Sequence, residues 1–286
     1  RPVNLHLFAL EKLGAKIKIK NGYIYATTKN GLKGNTIKFP SISVGATENA
    51  ILAAVCAEGK TIISNCAIEP EIQDMIFFLK KIGCDINFIG KRKILITGTK
   101  DFKNTSHEII FDRIELGTYL IAGALIGKKI ILNNVKPAII DTEIKVMKKM
   151  GVRMKIEKNR IIVYESKKIN CINIKTEAYP GFPTDLQAQI MVLMSKATGT
   201  SKVKESIFEN RFMHVPELKR MGAKINIKNN LAIITGPTNL SGAEVMATDL
   251  RASVSLVLAA LIADNRTIIN RVYHLDRGYE NLEKKL

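Results

Sequence analysis

Hydrophobic and polar positions along this chain state one pattern four times. Each statement is a short polar lead-in, a helical run that is apolar nearly all round, a polar break and a strand-like run. The four are 43–63 (SVGATENAILAAVCAEGKTII), 115–132 (ELGTYLIAGALIGKKIIL), 184–203 (TDLQAQIMVLMSKATGTSKV) and 248–269 (TDLRASVSLVLAALIADNRTII). A helix without a polar face has to be enclosed on all sides. A second, amphipathic helix closes on a glycine and re-enters a strand: EKLGAKI, KKIGCDI, KKMGVRM and KRMGAKI, at Gly14, Gly83, Gly151 and Gly222. Glycine suits the left-handed position after a helix. Successive spacings of 69, 68 and 71 residues mark a duplicated supersecondary unit. One further period runs past Leu286, and the chain opens inside a helix, so it reads as an internal segment of a longer protein.

Each unit reads β-α-β-α-β-β. Lys16–Lys20 and Tyr23–Thr27 alternate about Asn21-Gly22, a hairpin signal. A strand at Thr36–Phe39, a helix at Thr47–Ala57 and a strand at Thr61–Ser64 follow. The spacing of Ile72, Met75, Ile76, Leu79 and Ile82 predicts an amphipathic helix over Pro70–Ile82. Strands at Asp85–Phe88 and Lys93–Thr97 complete that unit. The next has a strand at His107–Phe111, a helix over 115–126, a strand over 129–132, a helix over 141–150 and a hairpin over 152–164. The third spans Cys171–Thr235 and the fourth starts at Ala243. The loop-like Thr99–Ser106 is the expected junction, giving domains 1–106 and 107–286. The expected class is α/β, with sheets and amphipathic helices wrapped around buried helices.

Composition narrows the function classes. Net charge is +18, but the lysines are spread over the chain, aromatics are 6 % and Trp is absent. Stacking platforms for single strands are therefore poorly supplied, whereas a positive field steers anionic metabolites. The four cysteines form no C-x-x-C and read as free, mostly buried thiols in a reducing, cytoplasmic setting. The four histidines form no H-x-x-x-H pair, so neither a metal nor a cofactor is expected. The longest apolar runs, such as Val254–Ala263, are about half a membrane span. Oligomeric state is not legible.

Candidate chemistry sits at the starts of the apolar helices: Ser43–Thr47, Asp112–Glu115, Thr184-Asp185 and Thr248–Arg251. A helix N-terminus offers free N–H groups to phosphate or carboxylate, and Ser, Thr and Asp are also ordinary caps. Gly45 allows close backbone approach. Three segments break the repeat. Phe182–Asp185 puts a carboxylate at a helix start. Phe208–His214 adds Arg211 and His214, and Leu275–Tyr279 adds Arg277. Arginine forks bind carboxylate or phosphate at two points, and an aspartate among them can deprotonate a hydroxyl; a salt-bridged surface loop is the alternative.

The segments FPTDLQAQ, FENRFMHVPELKRMGA, SGAEVMATDLRAS, HLDRGYE, SVGAT and RPVNLH resemble the UDP-N-acetylglucosamine 1-carboxyvinyltransferase family, over essentially the whole chain. The resemblance implies a two-domain inside-out α/β barrel of enolpyruvyl transferase type. It implies transfer of enolpyruvyl from phosphoenolpyruvate to the 3′-hydroxyl of UDP-N-acetylglucosamine, with no nucleic-acid or membrane partner. It places Asp185 on the carboxylate that contacts the sugar hydroxyl, and Arg1 and Arg277 on arginines that hold phosphoenolpyruvate. Arg251 falls near that substrate's carboxyl group, and Asp249 on an acid of the same site. The segments Arg1, Pro2, Val3, Asn4, Leu5 and Ser41, Ile42, Ser43, Val44 fall on nucleotide contacts, and Ile207 on a backbone contact. Asn4 and Ser41 depart from the family's usual Asp and Lys. The loop carrying the family's reactive Cys or Asp precedes Arg1, so segment 1–286 alone is expected to be inactive. The rival expectations are a 3-phosphoshikimate 1-carboxyvinyltransferase and a basic RNA-binding repeat protein.

Overall fold

The computed structural model describes residues 2–126, 129–166 and 168–286, which form two compact units, Arg1–Ile110 and Phe111–Leu286. In the first, α1 (Asn4–Lys12) leads into an antiparallel hairpin of β1 (Lys16–Lys20) and β2 (Tyr23–Thr27). Then come β3 (Thr36–Lys38), α2 (Val44–Val55), β4 (Lys60–Ser64), α3 (Pro70–Lys81), β5 (Asp85–Gly90) and β6 (Lys93–Thr97). The sheet order is β3-β4-β6-β5, with β3 parallel to β4 and the other pairs antiparallel. A parallel pair needs a crossover, and α2 supplies it. Ile37, Ile63, Ile86, Ile94 and Ile96 of the sheet form one core with Ala50, Ile51 and Ala54 of α2 and Ile72, Ile76 and Leu79 of α3.

Two expectations for this unit need correction. Helix α2 starts at Val44 rather than Thr47, because Ser43 Oγ accepts the Ala46 N–H at 3.3 Å and caps it there. Nor is α2 enclosed on all sides. Leu52 is 50 % exposed and Cys56 is exposed. They lie four apart on one face, and α2 is the one all-apolar helix among the described residues of its unit. Cys171 is exposed too, so two thiols are buried and two are not.

The second unit begins with α4 (Arg113–Ile126), β7 (Ile130–Asn133), α5 (Asp141–Lys149), β8 (Met154–Ile156) and β9 (Arg160–Val163), in sheet order β7-β9-β8. No strand forms over His107–Phe111. His107 Nε2 lies 3.1 Å from Asp74 Oδ2 on α3, which holds the segment against that helix instead of beside a strand. Next come β10 (Asn173–Lys175), a 3-10 turn over Thr184–Leu186, α6 (Gln187–Ser195), β11 (Gly199–Lys204), α7 (Val215–Arg220), β12 (Lys224–Lys228) and β13 (Leu231–Gly236). Their order, β10-β11-β13-β12, repeats that of the first unit's sheet. The chain ends through β14 (Leu240–Ser241), β15 (Glu244–Met246), α8 (Leu250–Ala260), β16 (Ala263–Asp264), β17 (Ile268–Asn270) and α9 (Leu282–Lys285), with β14 parallel to β16 and β15 to β17.

Here the apolar helices do enclose one another. Helices α4, α6 and α8 pack together, and every residue of α6 is buried. Helices lie inside and sheets outside, but among the described residues the sheets stay open and close no barrel. Gly117 brings α4 onto the turn before α6: a Cβ there would meet Leu186 Cδ1 at 2.4 Å. That close approach fixes the backbone next to Asp185.

Candidate active site

The starts of the three packed helices look alike in sequence but differ in geometry. Asp112 Oδ1 accepts the N–H groups of Ile114 (2.7 Å) and Glu115 (3.0 Å). Asp249 Oδ1 accepts those of Arg251 (2.8 Å) and Ala252 (3.0 Å). Both are N-caps. Asp185 is not. It lies inside the 3-10 turn, and its carboxylate is held by two arginines instead. Arg211 Nη2 donates to Oδ1 at 2.5 Å, and Arg251 Nη2 lies 3.5 Å from Oδ2. The Arg211 guanidinium also lies over the Phe208 ring, 5.3 Å from its centroid.

Burial alone would push the Asp185 carboxyl upward, yet the Arg251 and Arg211 charges outweigh it and hold it below the usual aspartate value. The site therefore contains a carboxylate, ionised at neutral pH, with two guanidinium groups converging on it.

Behind the clamp runs a buried hydroxyl and amide network. Thr118 Oγ1 donates to Ile114 C=O (2.9 Å), so its contact with Tyr279 Oη (2.9 Å) has the tyrosine as donor. Arg251 Nη1 donates to the same Tyr279 oxygen at 3.4 Å. Gln189 Nε2 donates to Thr118 Oγ1 (3.2 Å) and to the Asp185 C=O (2.9 Å). Burial raises the Tyr279 hydroxyl above its ordinary value, so it stays protonated and can donate. Gly278 lets this segment reach α8: a Cβ there would meet Leu250 Cδ2 at 2.9 Å. His214 is buried beside these groups. Burial pushes its imidazole down to about 4, with the Arg211 charge adding to the effect against Asp249, so it is neutral at pH 7.

Of the residues singled out in the sequence, the second unit brings together Asp185, Arg251 and Arg211. Asp249 is at the start of α8, engaged as its cap. Arg277 is exposed and makes no hydrogen bond or ion pair among the described residues. Ile207 lies on the loop after β11, 41 % exposed. In the first unit Pro2, Val3 and Asn4 are exposed at the start of α1, with Leu5 half-buried. Ser41 is exposed, Ile42 packs on the core, Ser43 caps α2 and Val44 opens it. The two helix starts meet, since a Cβ on Gly45 would lie 3.2 Å from the His6 ring. That ring fills the space Gly45 leaves. Arg1 lies outside the described residues. Tyr279, Thr118, Gln189 and Glu205 were not foreseen; Tyr279 and Gln189 stand within the HLDRGYE and FPTDLQAQ segments already noticed.

Comparison with known proteins bears on the family and the fold. The sequence profile of the EPSP synthase (3-phosphoshikimate 1-carboxyvinyltransferase) family matches residues 1–286. The chain is 57 % identical over 286 residues to the UDP-N-acetylglucosamine 1-carboxyvinyltransferase of Pelagibacter ubique (strain HTCC1062), covering 100 % of this chain and 69 % of that protein. It is 50 % identical to the protein of the same name from Caulobacter sp. (strain K31), covering 100 % of this chain and 66 % of that one. It thus spans about two thirds of the length of these relatives. The crystal structure of the enolpyruvyl transferase NikO from Streptomyces tendae superposes with a TM-score of 0.93 at 25 % identity, covering 100 % of this chain and 71 % of that one. EPSP synthase from Acinetobacter baumannii, at 19 % identity and a TM-score of 0.74 over 98 % of this chain and 68 % of that one, shares the fold. By these matches the chain belongs to the EPSP synthase family of enolpyruvyl transferases, among its UDP-N-acetylglucosamine 1-carboxyvinyltransferases.

Proposed function

We propose that the full-length protein transfers enolpyruvyl from phosphoenolpyruvate to the 3′-hydroxyl of UDP-N-acetylglucosamine, with release of phosphate. The observation that carries this reading is the Arg211–Asp185–Arg251 clamp: a carboxylate suited to take a hydroxyl proton, beside a cation suited to an anionic co-substrate. The sugar oxygen adds to C2 of phosphoenolpyruvate as Asp185 accepts its proton, while a separate general acid protonates C3 and takes a proton back in the elimination. Phosphate then leaves C2 as C3 loses a proton, restoring the double bond. In the resting clamp Asp185 is a weak base, because two cations stabilise its anion. An anionic substrate that draws Arg251 away leaves Asp185 with one cation and the effect of burial, and so makes it more basic when it is needed.

In this reading Arg251 meets the phosphoenolpyruvate carboxyl group, and Arg1 and Arg277 hold the same substrate. Asp249 lines the site with the carboxylate oxygen that capping leaves unused. Ile207 offers a backbone contact to the nucleotide, as do the segments Pro2–Leu5 and Ser41–Val44. The reading places the reaction in the cytoplasm. The unpaired, exposed Cys56 and Cys171 fit a reducing compartment, and among the described residues no helix is long and apolar enough to cross a membrane.

The test is phosphate release by the full-length protein with both substrates, beside Asp185→Asn. The expected outcome is turnover that falls by about 10²–10⁴-fold in the variant. Turnover of shikimate 3-phosphate in place of the nucleotide sugar would move the protein to the shikimate branch. An undiminished rate in Asp185→Asn would remove the assigned base.

A further inference from the structure

Glu205 stands at the end of β11, 2 % exposed, with no cationic partner among the described residues. A carboxylate in that position has to be neutralised by hydrogen bonds, and four converge on it. Oε1 accepts the Thr176 hydroxyl (2.8 Å), the Ile207 N–H (2.8 Å) and the Phe208 N–H (3.1 Å). Oε2 accepts the Thr184 hydroxyl at 2.9 Å. These donors come from three segments: the end of β10, the turn that carries Asp185, and the loop that carries Ile207 and Phe208.

The loop bonds have a directional consequence. In a planar trans peptide the C=O points opposite to the N–H of the next residue. With the Phe208 N–H aimed into the buried carboxylate, the Ile207 C=O is turned outward. It accepts no hydrogen bond among the described residues. Phe208 in turn lies under the Arg211 guanidinium that holds Asp185.

We infer that Glu205 is a positioning residue that sets the outward Ile207 carbonyl as an acceptor for the nucleotide and fixes that loop against the Asp185 turn. This rests on the reading of Ile207 as a nucleotide contact. Glu205 touches no substrate itself; it acts through the loop.

The experiment is steady-state kinetics of the full-length protein carrying Glu205→Ala, Glu205→Gln or Glu205→Asp. Glu205→Ala leaves four donors without their acceptor. It is expected to raise KM for UDP-N-acetylglucosamine about tenfold or more, with KM for phosphoenolpyruvate unchanged, a loss of about 1.4 kcal/mol per tenfold. Glu205→Gln keeps an oxygen that accepts both loop N–H groups and is expected to recover most of the affinity. Glu205→Asp keeps the charge but withdraws it by one methylene. It is expected to raise the same KM several-fold, and it serves as the test if Glu205→Ala does not fold. A wild-type KM for the nucleotide sugar in Glu205→Asp, or equal changes in both KM values, would overturn the inference. Absence of transfer by the wild-type protein counts against the proposed function instead.

Discussion

Thr184-Asp185 and Thr248-Asp249 are the same dipeptide at the same phase of the repeat, and they do different work. Asp249 has extended backbone (φ −155°, ψ 173°), which points its carboxylate along the helix axis, where it meets the free N–H groups of α8. The backbone at Asp185 is already wound into a 3-10 turn, so its side chain points off the axis and no cap forms. The carboxylate is then available to partners from elsewhere, and Arg211 and Arg251 supply them. Whether an aspartate at a helix start caps it or stays available to side chains from elsewhere thus depends on where the helical winding begins. Gly117 contributes to that decision by admitting Leu186, the neighbour of Asp185, against α4.

The largest effect expected from breaking this contrast comes from the arginines. Arg211→Ala and Arg251→Ala each leave Asp185 half-paired, and each is expected to lower kcat/KM by about 10²-fold. Removing a cation raises the carboxyl pKa, because burial is then opposed by one charge only. The acidic limb of the pH–rate profile should therefore move to higher pH in both variants. Arg251→Ala should also raise KM for phosphoenolpyruvate, and Arg211→Ala should not. A limb that stays in place would show that Asp185 does not titrate in the rate. Arg211→Lys keeps the charge and should move the limb back, but it should not restore the full rate, since an ammonium lacks the planar fork and stacks poorly over Phe208.

Much of the scaffold was legible because it depends on local signals. Asn21-Gly22 joins β1 to β2, and the spacing from Ile72 to Leu79 buries one face of α3, as read. What was not legible depends on partners far along the chain. The strand expected at His107–Phe111 needs a neighbour to pair with, and the sequence does not show that His107 goes to Asp74. In the site, Asp185 and Arg251 stood out as motif residues. Arg211 read equally well as surface loop, because its value lies in reaching a residue 26 positions away. Glu205 looks like the polar end of a strand, and its acceptor role appears only when Thr176 and the loop fold around it. Tyr279 and Thr118, 161 positions apart, carry no joint signal at all.

His214 gives the next effect in size, on stability. Its imidazole is held down to about 4 by burial, whereas the unfolded chain protonates near 6.5. The unfolded state therefore binds the extra proton first, and stability falls as pH drops from about 6.5 to about 4. The loss across that window is roughly 3 kcal/mol. Replacing His214 with Gln removes the titrating group, so denaturant midpoints should lose that part of their slope between pH 6.5 and 4. An unchanged slope would place the responsible proton elsewhere. Asp185 acts in a lower window with its own sign. Its folded pKa is depressed, so its contribution is complete above the unfolded aspartate value near 3.9 and is lost as pH falls through the lowered folded value.

The smallest expected effect bears on the other half of the comparison. If Asp249 serves α8 as a cap, Asp249→Ala should cost about 1 kcal/mol, or about 2–4 °C in melting temperature. Asn caps about as well as Asp, because its amide oxygen can accept the same N–H groups of Arg251 and Ala252, so Asp249→Asn should keep the stability. The pair of variants separates the two duties of the residue. Any loss of turnover in Asp249→Asn, with melting unchanged, measures what the remaining carboxylate charge does in the site. The matching pair at Asp185 should behave in the opposite way: Asn and Ala are expected to be equally inactive there, and Asn should not preserve stability as it does at a cap, because it lacks the charge that the two arginines hold. If Asp249→Asn melted as low as Asp249→Ala while Asp185→Asn kept the stability that Asp185→Ala lost, the assignment of cap to one helix start and clamp to the other would have to be exchanged.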